Sequence, residues 1–226
     1  MSLPTDAAPR LEKDDRMTKL YACLGSGNCM KPWLAMTQLE QNFELNLLDV
    51  LKGEQKQDAF LAINPLGVVP FLMTSDGTGI GESNAMLWYL AEGTHLMPDT
   101  ANDRAEALQW MFFEQSKLEP FISPARFFSH ILPQERDAHA QEIAAWQDAA
   151  GPGLAHLNAH LANRKFILTQ GYCVADIAVF GYVHVMHEAG IDIAPLSNIT
   201  RWISDVTKTK NFSPLTQLGT AVQRAA

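Results

Sequence analysis

The sequence predicts an α/β domain followed by an all-helical domain, and three observations support this fold class. Residues 43–47 alternate strictly between apolar and polar side chains, which is typical of a half-buried strand. The apolar run at 69–73 is followed by turn-forming residues at 75–79, which predicts a hairpin. After a stretch rich in Gly, Pro and polar residues at 93–99, apolar residues recur only at the three- and four-residue spacing of helices.

The predicted order of elements in the first part is βαβαββα. A strand at 19–23 precedes a helix that runs to about Gln41. The alternating strand is followed by a polar loop at 52–57 and a short helix at 58–63, and the hairpin by a helix at 83–91. Because a βαβ unit gives parallel strands through a right-handed crossover, this order is the thioredoxin-like topology.

The C-terminal part is predicted to be a helical bundle. Its helices are expected at 101–129, 134–163, 174–189 and 198–209, with a short one after Pro214. Three- and four-residue spacing predicts that one face of the first helix is buried, with Leu108, Met111, Phe112, Gln115 and Leu118. The expected domain bounds are a disordered tail at 1–16, an α/β domain at 17–93, a linker at 94–100 and the bundle at 101–226.

Composition excludes several classes of protein. The 226 residues are 47% apolar and 19% charged, and no stretch approaches the ~18 apolar residues of a membrane span. The formal charge of -8 argues against a nucleic-acid partner. Three widely spaced cysteines form neither a disulfide framework nor a zinc motif, so a reducing cytosol is expected. Residues 1–16 lack the apolar core of a signal peptide.

The stretch Asn64 to Pro70 and the pair Glu82 and Ser83 predict a binding site for a peptide-like ligand. Pro70 should lie at a strand start, where an X-Pro bond is a candidate cis peptide that would turn the carbonyl and amide of Val69 outward. Ser83 opens a helix whose free N–H groups favour an anion, and Glu82 offers a carboxylate to an amine.

Together with the run from Leu20 to Cys29, these motifs resemble the glutathione-binding half of the glutathione S-transferases, over roughly residues 17 to 220. The layout is most similar to theta-like and related bacterial members that carry a serine after the first strand. The resemblance implies glutathione as co-substrate, with Val69 and Pro70 at its cysteinyl unit and Glu82 and Ser83 at its γ-glutamyl end. It also implies a cytoplasmic homodimer active in detoxification, without a metal.

Ser26 is the predicted catalytic residue. A thiol bound at this turn would meet a hydroxyl donor and helix-start amides, and both stabilise a thiolate. The resemblance implies the same role, because Ser26 to Cys29 matches the Ser-x-x-Cys of theta-like enzymes. Two alternatives stay open: Ser26 is only a helix cap, and Asn28 orients the thiol as well as capping the helix.

Cys29 is the competing candidate for a thiol role. Ser26 and Cys29 occupy the positions where thioredoxin-fold oxidoreductases carry Cys-x-x-Cys, but the first, attacking position is serine here. Cys29 and Cys23 are therefore expected to be buried packing residues. A one-cysteine reaction with a glutathione disulfide stays open on the condition that Cys29 is exposed.

The glycine end of glutathione departs from the family pattern. Theta-like relatives place a histidine about nine residues before the Asn-Pro, and the matching residue here is Gln55, with Lys52 and Lys56 nearby. A lysine that precedes the Val-Pro in those relatives is Val68 here. By resemblance, Gln55 is a substrate-binding residue, and the glycine carboxylate is held more weakly or by other residues.

The sequence also predicts a helix cap at Cys173 and a pocket for the electrophile. Asp176 follows Cys173 by three residues, as in a capping box in which the thiol replaces the hydroxyl, and only the acid is expected to reach back to the cap amide. The electrophile pocket is expected between the domains, and no role is assigned to His184. Its candidate lining residues are Trp110, Phe113, Phe127, Phe128 and His130.

The function predicted from the sequence is glutathione transfer to a small apolar electrophile, with glutathione activated as its thiolate. Three alternatives remain. They are a glutathione-dependent disulfide oxidoreductase, an isomerase that releases glutathione unchanged, and a non-enzymatic binding protein of the same fold. The Gly25-Ser26 pair is a poor match to the Ser-Ser of the isomerases, and a scaffold has no need of the binding motifs.

Overall fold

The computed structural model describes residues 17–219, so the predicted tail at 1–16 and the residues after 219 lie outside it. Its first part contains one sheet of four strands in the order β2-β1-β3-β4. The β1–β2 pair is parallel, and the β1–β3 and β3–β4 pairs are antiparallel. The strands are β1 (Thr18–Ala22), β2 (Phe43–Leu47), β3 (Phe71–Met73) and β4 (Gly79–Ile80).

Three helices complete this thioredoxin-like part, and the predicted βαβαββα order is confirmed. They are α1 (Gly27–Gln38), α2 (Asp58–Leu61) and α3 (Ser83–Ala91). Short 3-10 turns at Val50–Lys52 and Glu54–Lys56 occupy the region predicted as polar loop. Helices α1 and α3 pack against each other and against a helix of the second part, so the start of α1 lies close to both parts of the chain.

Helix α1 contains Pro32 in its interior. The helix begins five residues before this proline. An interior proline costs about 3 kcal/mol, whereas fully burying a large apolar side chain contributes about 1.5–3 kcal/mol. Trp33 and Leu34 are 0% and 1% exposed, so the burial of this face outweighs the lost hydrogen bond. The helix also ends at Gln38 rather than near Gln41.

The second part is helical, as predicted. Wider π-type turns at Glu114–Leu118 and Phe127–Ile131 interrupt and extend its first long helical segment. Within residues 17–219, no helix combines the length and the apolar character needed to cross a membrane. The helices are α4 (Ala101–Phe113), α5 (Glu119–Arg126), α6 (Ala140–His160), α7 (Val174–Val183) and α8 (Ser197–Val206).

The predicted buried face of this helical segment is confirmed only in part. Met111 and Leu118 are buried, Leu108 and Gln115 are half-buried, and Phe112 is 70% exposed. Trp110, which is 3% exposed, shares the inward side with Met111. Because each helical residue turns by about 100°, Phe112 lies about 200° from Trp110 and therefore faces outward.

Asp176 ties the start of α7 to its surroundings. Its buried carboxylate accepts hydrogen bonds from the Cys173 N–H at 3.0 Å, the Ile167 N–H at 2.9 Å and the Trp202 indole N–H at 2.8 Å. The expectation that the acid reaches back to the cap amide is therefore confirmed. The cap residue itself is a thiol, which is a weak hydrogen-bond acceptor.

We predict that Cys173→Ser leaves the stability unchanged or raises it, by up to about 1 kcal/mol, because a hydroxyl caps a helix better than a thiol. Thermal unfolding monitored by circular dichroism measures the change. Cys173→Ala, which has no acceptor, should melt below the serine variant. A lower melting temperature for Cys173→Ser than for the wild type would contradict the capping account.

Candidate functional site

The starts of helices α1 and α3 meet at one point. Ser26 precedes α1, and its side-chain oxygen accepts a hydrogen bond from the Cys29 N–H at 3.2 Å. Ser83 opens α3, and its hydroxyl donates to the Asn28 side-chain oxygen at 3.2 Å. Because helix starts carry unpaired N–H groups and a partial positive charge, this junction favours an anion.

Glu82, which precedes α3, has a strained backbone. Its φ is 61°, in the left-handed region that a non-glycine residue seldom adopts, and its carbonyl accepts the Met86 N–H at 3.0 Å. Strain of this kind costs about 1–3 kcal/mol and is concentrated at ligand sites. Glu82 is exposed, so a carboxylate stands in solvent beside the helix start.

The loop before β3 presents a free backbone edge. The Val69–Pro70 peptide bond is cis, as the sequence led us to expect. Within the described part of the chain, the Val69 N–H and C=O have no hydrogen-bond partner. The Asn64 side chain supports this loop by donating to the Val68 carbonyl at 2.9 Å. An extended peptide can therefore pair with Val69.

Gly67 brings Gln55 next to this loop. Gly67 has a φ of +58°, and a Cβ at this position would lie 2.7 Å from the Gln55 carbonyl oxygen. Only glycine fits so close an approach. The Gln55 side-chain N–H donates to the Val50 carbonyl over a long 3.4 Å, and its side-chain oxygen is buried without a partner among the described residues. The amide thus lies beside the site but is turned inward.

A buried ion pair lies directly behind the junction of the two helix starts. Lys31 and Glu114 are both 0% exposed, and the ammonium and carboxylate are 2.8 Å apart. The Lys31 ammonium also donates to the Asn28 side-chain oxygen at 2.9 Å. That oxygen accepts from Ser83 as well, so the amide nitrogen of Asn28 must point the other way. It donates to the Glu119 carboxylate at 3.2 Å.

Burial changes the pKa values of Lys31 and Glu119, the two charged residues that contact the Asn28 side chain. Desolvation lowers the pKa of Lys31, and the charge of Glu114 opposes that effect. Burial, followed by the neighbouring charge of Glu114, raises the pKa of Glu119. Glu119 thus faces the Asn28 amide as a carboxylate that is protonated more readily than an ordinary surface glutamate.

Cys29 is completely buried, as expected. It is 0% exposed, and its sulfur accepts a hydrogen bond from the Cys23 N–H at 3.3 Å. Burial raises the pKa of the Cys29 thiol well above its ordinary value. The condition under which Cys29 itself would attack a glutathione disulfide, namely exposure, is therefore not met.

A cavity of about 490 Å³ lies beside the first loop. The Arg126 guanidinium fixes this wall by donating to the Gly25 carbonyl and to the Glu188 carboxylate, each at 2.5 Å. His184 also lines the cavity, and burial lowers its pKa to about 4, so it is neutral at pH 7. The other lining residues are Leu24, Leu47, His130, Ile131, Val185, His187, Pro214, Leu215, Thr216, Leu218 and Gly219.

Four of the five predicted pocket residues do not line this cavity. The centroids of the Trp110 and His160 rings are 4.3 Å apart, and those of the Phe128 and His139 rings are 3.8 Å apart. Of the predicted residues, His130 lines this cavity and Trp110, Phe113, Phe127 and Phe128 do not, and the place of the electrophile pocket stays a prediction. Large rings gain most from contact with other side chains, so they are found in packed clusters rather than on the cavity wall.

Several residues at the site were not found from the sequence. The role of Lys31 could have been predicted from its spacing, since it lies three residues after Asn28 and therefore on the same face of the helix. Tyr182 interacts with the side chains of Ser123 and Ser26, and burial raises its pKa to about 12, so its phenol remains protonated. Glu114, Glu119 and Arg126 had no local signal. No group of three or more potential metal ligands occurs within residues 17–219.

Comparisons with known proteins agree with this geometry. Residues 20–95 match the family model described as "Glutathione S-transferase, N-terminal domain". The disulfide-bond oxidoreductase YfcG of Escherichia coli is 30% identical over 77% of this chain and 83% of its own. Glutathione S-transferase GstB of the same species is 30% identical over 85% and 94%. A possible glutathione S-transferase from Rhodopseudomonas palustris superposes with a TM-score of 0.85, at 39% identity over 88% and 89%.

We predict that Lys31→Met lowers the free energy of unfolding by about 3–5 kcal/mol, because it leaves the Glu114 charge buried without a partner. Urea denaturation measures the loss. The double variant Lys31→Met/Glu114→Gln removes both charges and should recover at least half of it. Equal losses in the single and double variants would show that the packing of the lysine stem, rather than the ion pair, carries the effect.

Proposed function

Because the chain belongs to the glutathione S-transferase family, we propose that it binds glutathione and activates its sulfur as a thiolate for attack on a small apolar electrophile. The proposal also assigns the chain to the serine-type, theta-like group. One observation carries it: the two helix starts at Ser26 and Ser83 meet, and the β1–β3 register puts the free backbone edge at Val69 at the same end of the sheet as the turn at Ser26. A tripeptide with an anionic end and an activated sulfur needs these three elements together.

Each part of glutathione has a counterpart in this arrangement. The cysteinyl N–H and C=O pair with the Val69 backbone, at the cis bond to Pro70. The γ-glutamyl carboxylate takes the unpaired N–H groups at the start of α3, at Ser83, and its ammonium faces the Glu82 carboxylate. This orientation directs the cysteinyl sulfur toward the start of α1, where Ser26 lies.

The groups for the glycine end of glutathione are a neutral amide, Gln55, and an apolar side chain, Val68. Gln55 adjoins the loop through its contact with Gly67, and its weak hydrogen bond to Val50 is easily exchanged for one to a carboxylate. The exposed side chain of Val68 contributes no charge at this end. We therefore expect the glycine carboxylate to contribute less to affinity than the γ-glutamyl end.

Two groups stabilise the thiolate. The Ser26 hydroxyl donates its hydrogen to the sulfur while its oxygen accepts the Cys29 N–H. The partial positive charge at the start of α1 acts in the same direction, so the pKa of the bound thiol falls below its free value of about 8.5. Asn28, held by Lys31, donates one amide hydrogen to Glu119, and its second amide hydrogen adds a third donor for the sulfur.

The thiolate then forms a carbon–sulfur bond with an electrophile in the cavity beside Gly25, and the leaving group departs with the bonding electrons. The cavity is of a size suited to small molecules, since ligand pockets span about 300–1,000 Å³. The neutral imidazole of His184 adds no charge to its wall, and the two charged residues Arg126 and Glu188 there are paired with each other.

We predict that Ser26→Ala lowers the rate of conjugation at least tenfold, about 1.4 kcal/mol in barrier, while glutathione affinity changes little. Conjugation is measured with a chromogenic aryl halide, and affinity is measured by calorimetry. Ser26→Thr, which keeps the hydroxyl, is the matched control and should retain most of the rate. An unchanged rate in Ser26→Ala would remove Ser26 from the mechanism.

Calorimetry of the wild type with reduced and S-alkylated glutathione tests the binding mode. Binding of both forms would support an open cavity beyond the sulfur. If only reduced glutathione binds, the thiol site is closed, which favours the oxidoreductase alternative. If neither binds, the proposal fails, and the chain is better described as a binding protein of this fold.

We also propose that the protein is a cytosolic homodimer. The three unbridged cysteines support a reducing compartment. Two large apolar side chains support self-association: Phe112 on α4 is 70% exposed and Tyr89 on α3 is 52% exposed. The two helices adjoin, since the Asn84 amide donates to the Met111 carbonyl at 3.0 Å.

We predict that light scattering gives a mass close to twice the 25.0 kDa of the chain. Phe112→Glu should shift the protein toward monomer, because a buried unpaired carboxylate opposes association. Leu51→Glu, at another exposed apolar residue, is the control and should leave the mass unchanged. A wild-type mass of one chain would contradict the dimer.

A further inference from the structure

Two thiols lie together next to the proposed sulfur site. Cys23 follows strand β1, and Cys29 lies in the first turn of α1. Their sulfur atoms are 3.9 Å apart, and the Cys23 N–H donates to the Cys29 sulfur at 3.3 Å. A disulfide has an S–S distance of about 2.05 Å, so the sulfurs need to approach by only about 1.9 Å. The conjugation mechanism uses neither thiol.

The two thiols differ in environment. Cys29 is 0% exposed, whereas Cys23 is 9% exposed. Burial raises the pKa of the Cys29 thiol. The pKa of Cys23 is lowered, first by a hydrogen bond from the Cys29 thiol, against the effect of its partial burial, and then by one from the Ser26 hydroxyl. The more exposed thiol, Cys23, is therefore the better nucleophile, and the buried thiol, Cys29, is the one that reacts second.

Ser26 connects this pair to the bound ligand. Its side-chain oxygen accepts the Cys29 N–H at 3.2 Å, Cys23 lies three residues before it, and it is also the group proposed to hold the glutathione sulfur. A disulfide that contains glutathione, bound with its glutathionyl sulfur at Ser26, therefore brings that sulfur next to Cys23. The comparison of Ser26 and Cys29 with a Cys-x-x-Cys motif missed this pair, because the partner of Cys29 lies six residues before it.

We propose that Cys23 and Cys29 form a dithiol–disulfide couple that reduces mixed disulfides of glutathione bound at Ser26. This inference rests on the proposed binding of glutathione at that site. It assigns the protein a second activity, thiol–disulfide exchange, whose substrate class is a small thiol joined to glutathione. The nucleophile is Cys23, and the resolving thiol is Cys29.

The exchange proceeds in two steps. The Cys23 thiolate attacks the glutathionyl sulfur, and the other thiol leaves with the bonding electrons and takes a proton. Cys29 then loses its proton and attacks the Cys23 sulfur, which releases glutathione and leaves the Cys23–Cys29 disulfide. Two molecules of reduced glutathione restore the dithiol and leave as glutathione disulfide, so that electrons and protons balance.

Mass spectrometry of the intact chain and of its proteolytic peptides tests these two steps. After incubation of the reduced protein with glutathione disulfide, the wild type should lose two hydrogens, and the loss should lie within the peptide that contains both Cys23 and Cys29. Cys29→Ser should instead gain one glutathionyl group on Cys23, because the second step is blocked. Cys23→Ser should show neither product. Cys173→Ser is the matched control, since its thiol is 1% exposed and lies at α7, and it should behave as the wild type.

Rates give a second readout. With glutathione and the mixed disulfide of glutathione and 2-mercaptoethanol, Cys23→Ser should lower the reductase rate at least tenfold, and Cys173→Ser should leave it unchanged. A wild type that loses no hydrogens, or a Cys29→Ser variant that gains no glutathionyl group, would overturn the proposal. Thiol counting on the wild type is independent of how the variants fold.

The test separates this inference from the proposed function. If calorimetry shows that the wild type binds glutathione but no Cys23–Cys29 disulfide forms, the couple is refuted and the transferase proposal stands. If the wild type does not bind glutathione, the proposed function fails first, and the inference fails with it.

Discussion

An ammonium group removed from water is unfavourable by several kcal/mol unless a carboxylate faces it, and Lys31 and Glu114 meet that requirement at 2.8 Å. The arrangement of the site follows from this pair. The Lys31 ammonium fixes the Asn28 oxygen as an acceptor, so the amide has only one possible orientation. Ser83 donates to the same oxygen, which joins the starts of the two helices. Since Glu114 belongs to the helical part, the pair also ties that part to the sulfur site.

The junction of the two helix starts favours an anion in a protein whose net charge is -8. Overall charge therefore cannot supply the attraction, and local dipoles must. The unpaired N–H groups at the starts of α1 and α3 act within one turn of each helix, where charge elsewhere on the surface is screened beyond about 8–10 Å at physiological salt. The exposed carboxylate of Glu82 repels simple anions and attracts an ammonium group, so it favours a ligand that carries both charges.

Patterns confined to a few residues were predictable from the sequence, whereas contacts between distant residues were not. The strand at 43–47 and the helix at 83–91 match their predicted bounds, because periodicity and a helix-start signal are local properties. Ser26, Val69 and Ser83 lie where short motifs put them. Glu114 is 83 residues from Lys31, and no spacing rule joins them. Four of the predicted pocket aromatics lie away from the cavity beside Gly25, because a ring's surroundings depend on the packing of several helices.

The Ser26 hydroxyl has a single hydrogen, and two sulfurs are candidates to receive it. Under the two proposals, the Cys23 sulfur receives it in disulfide exchange and the glutathione sulfur receives it in conjugation. A bound thiol would then withdraw a donor from Cys23 and make the Cys23 thiolate less stable when conjugation is possible. One proton would divide the protein between two chemistries, with the cellular ratio of reduced to oxidised glutathione as the selector.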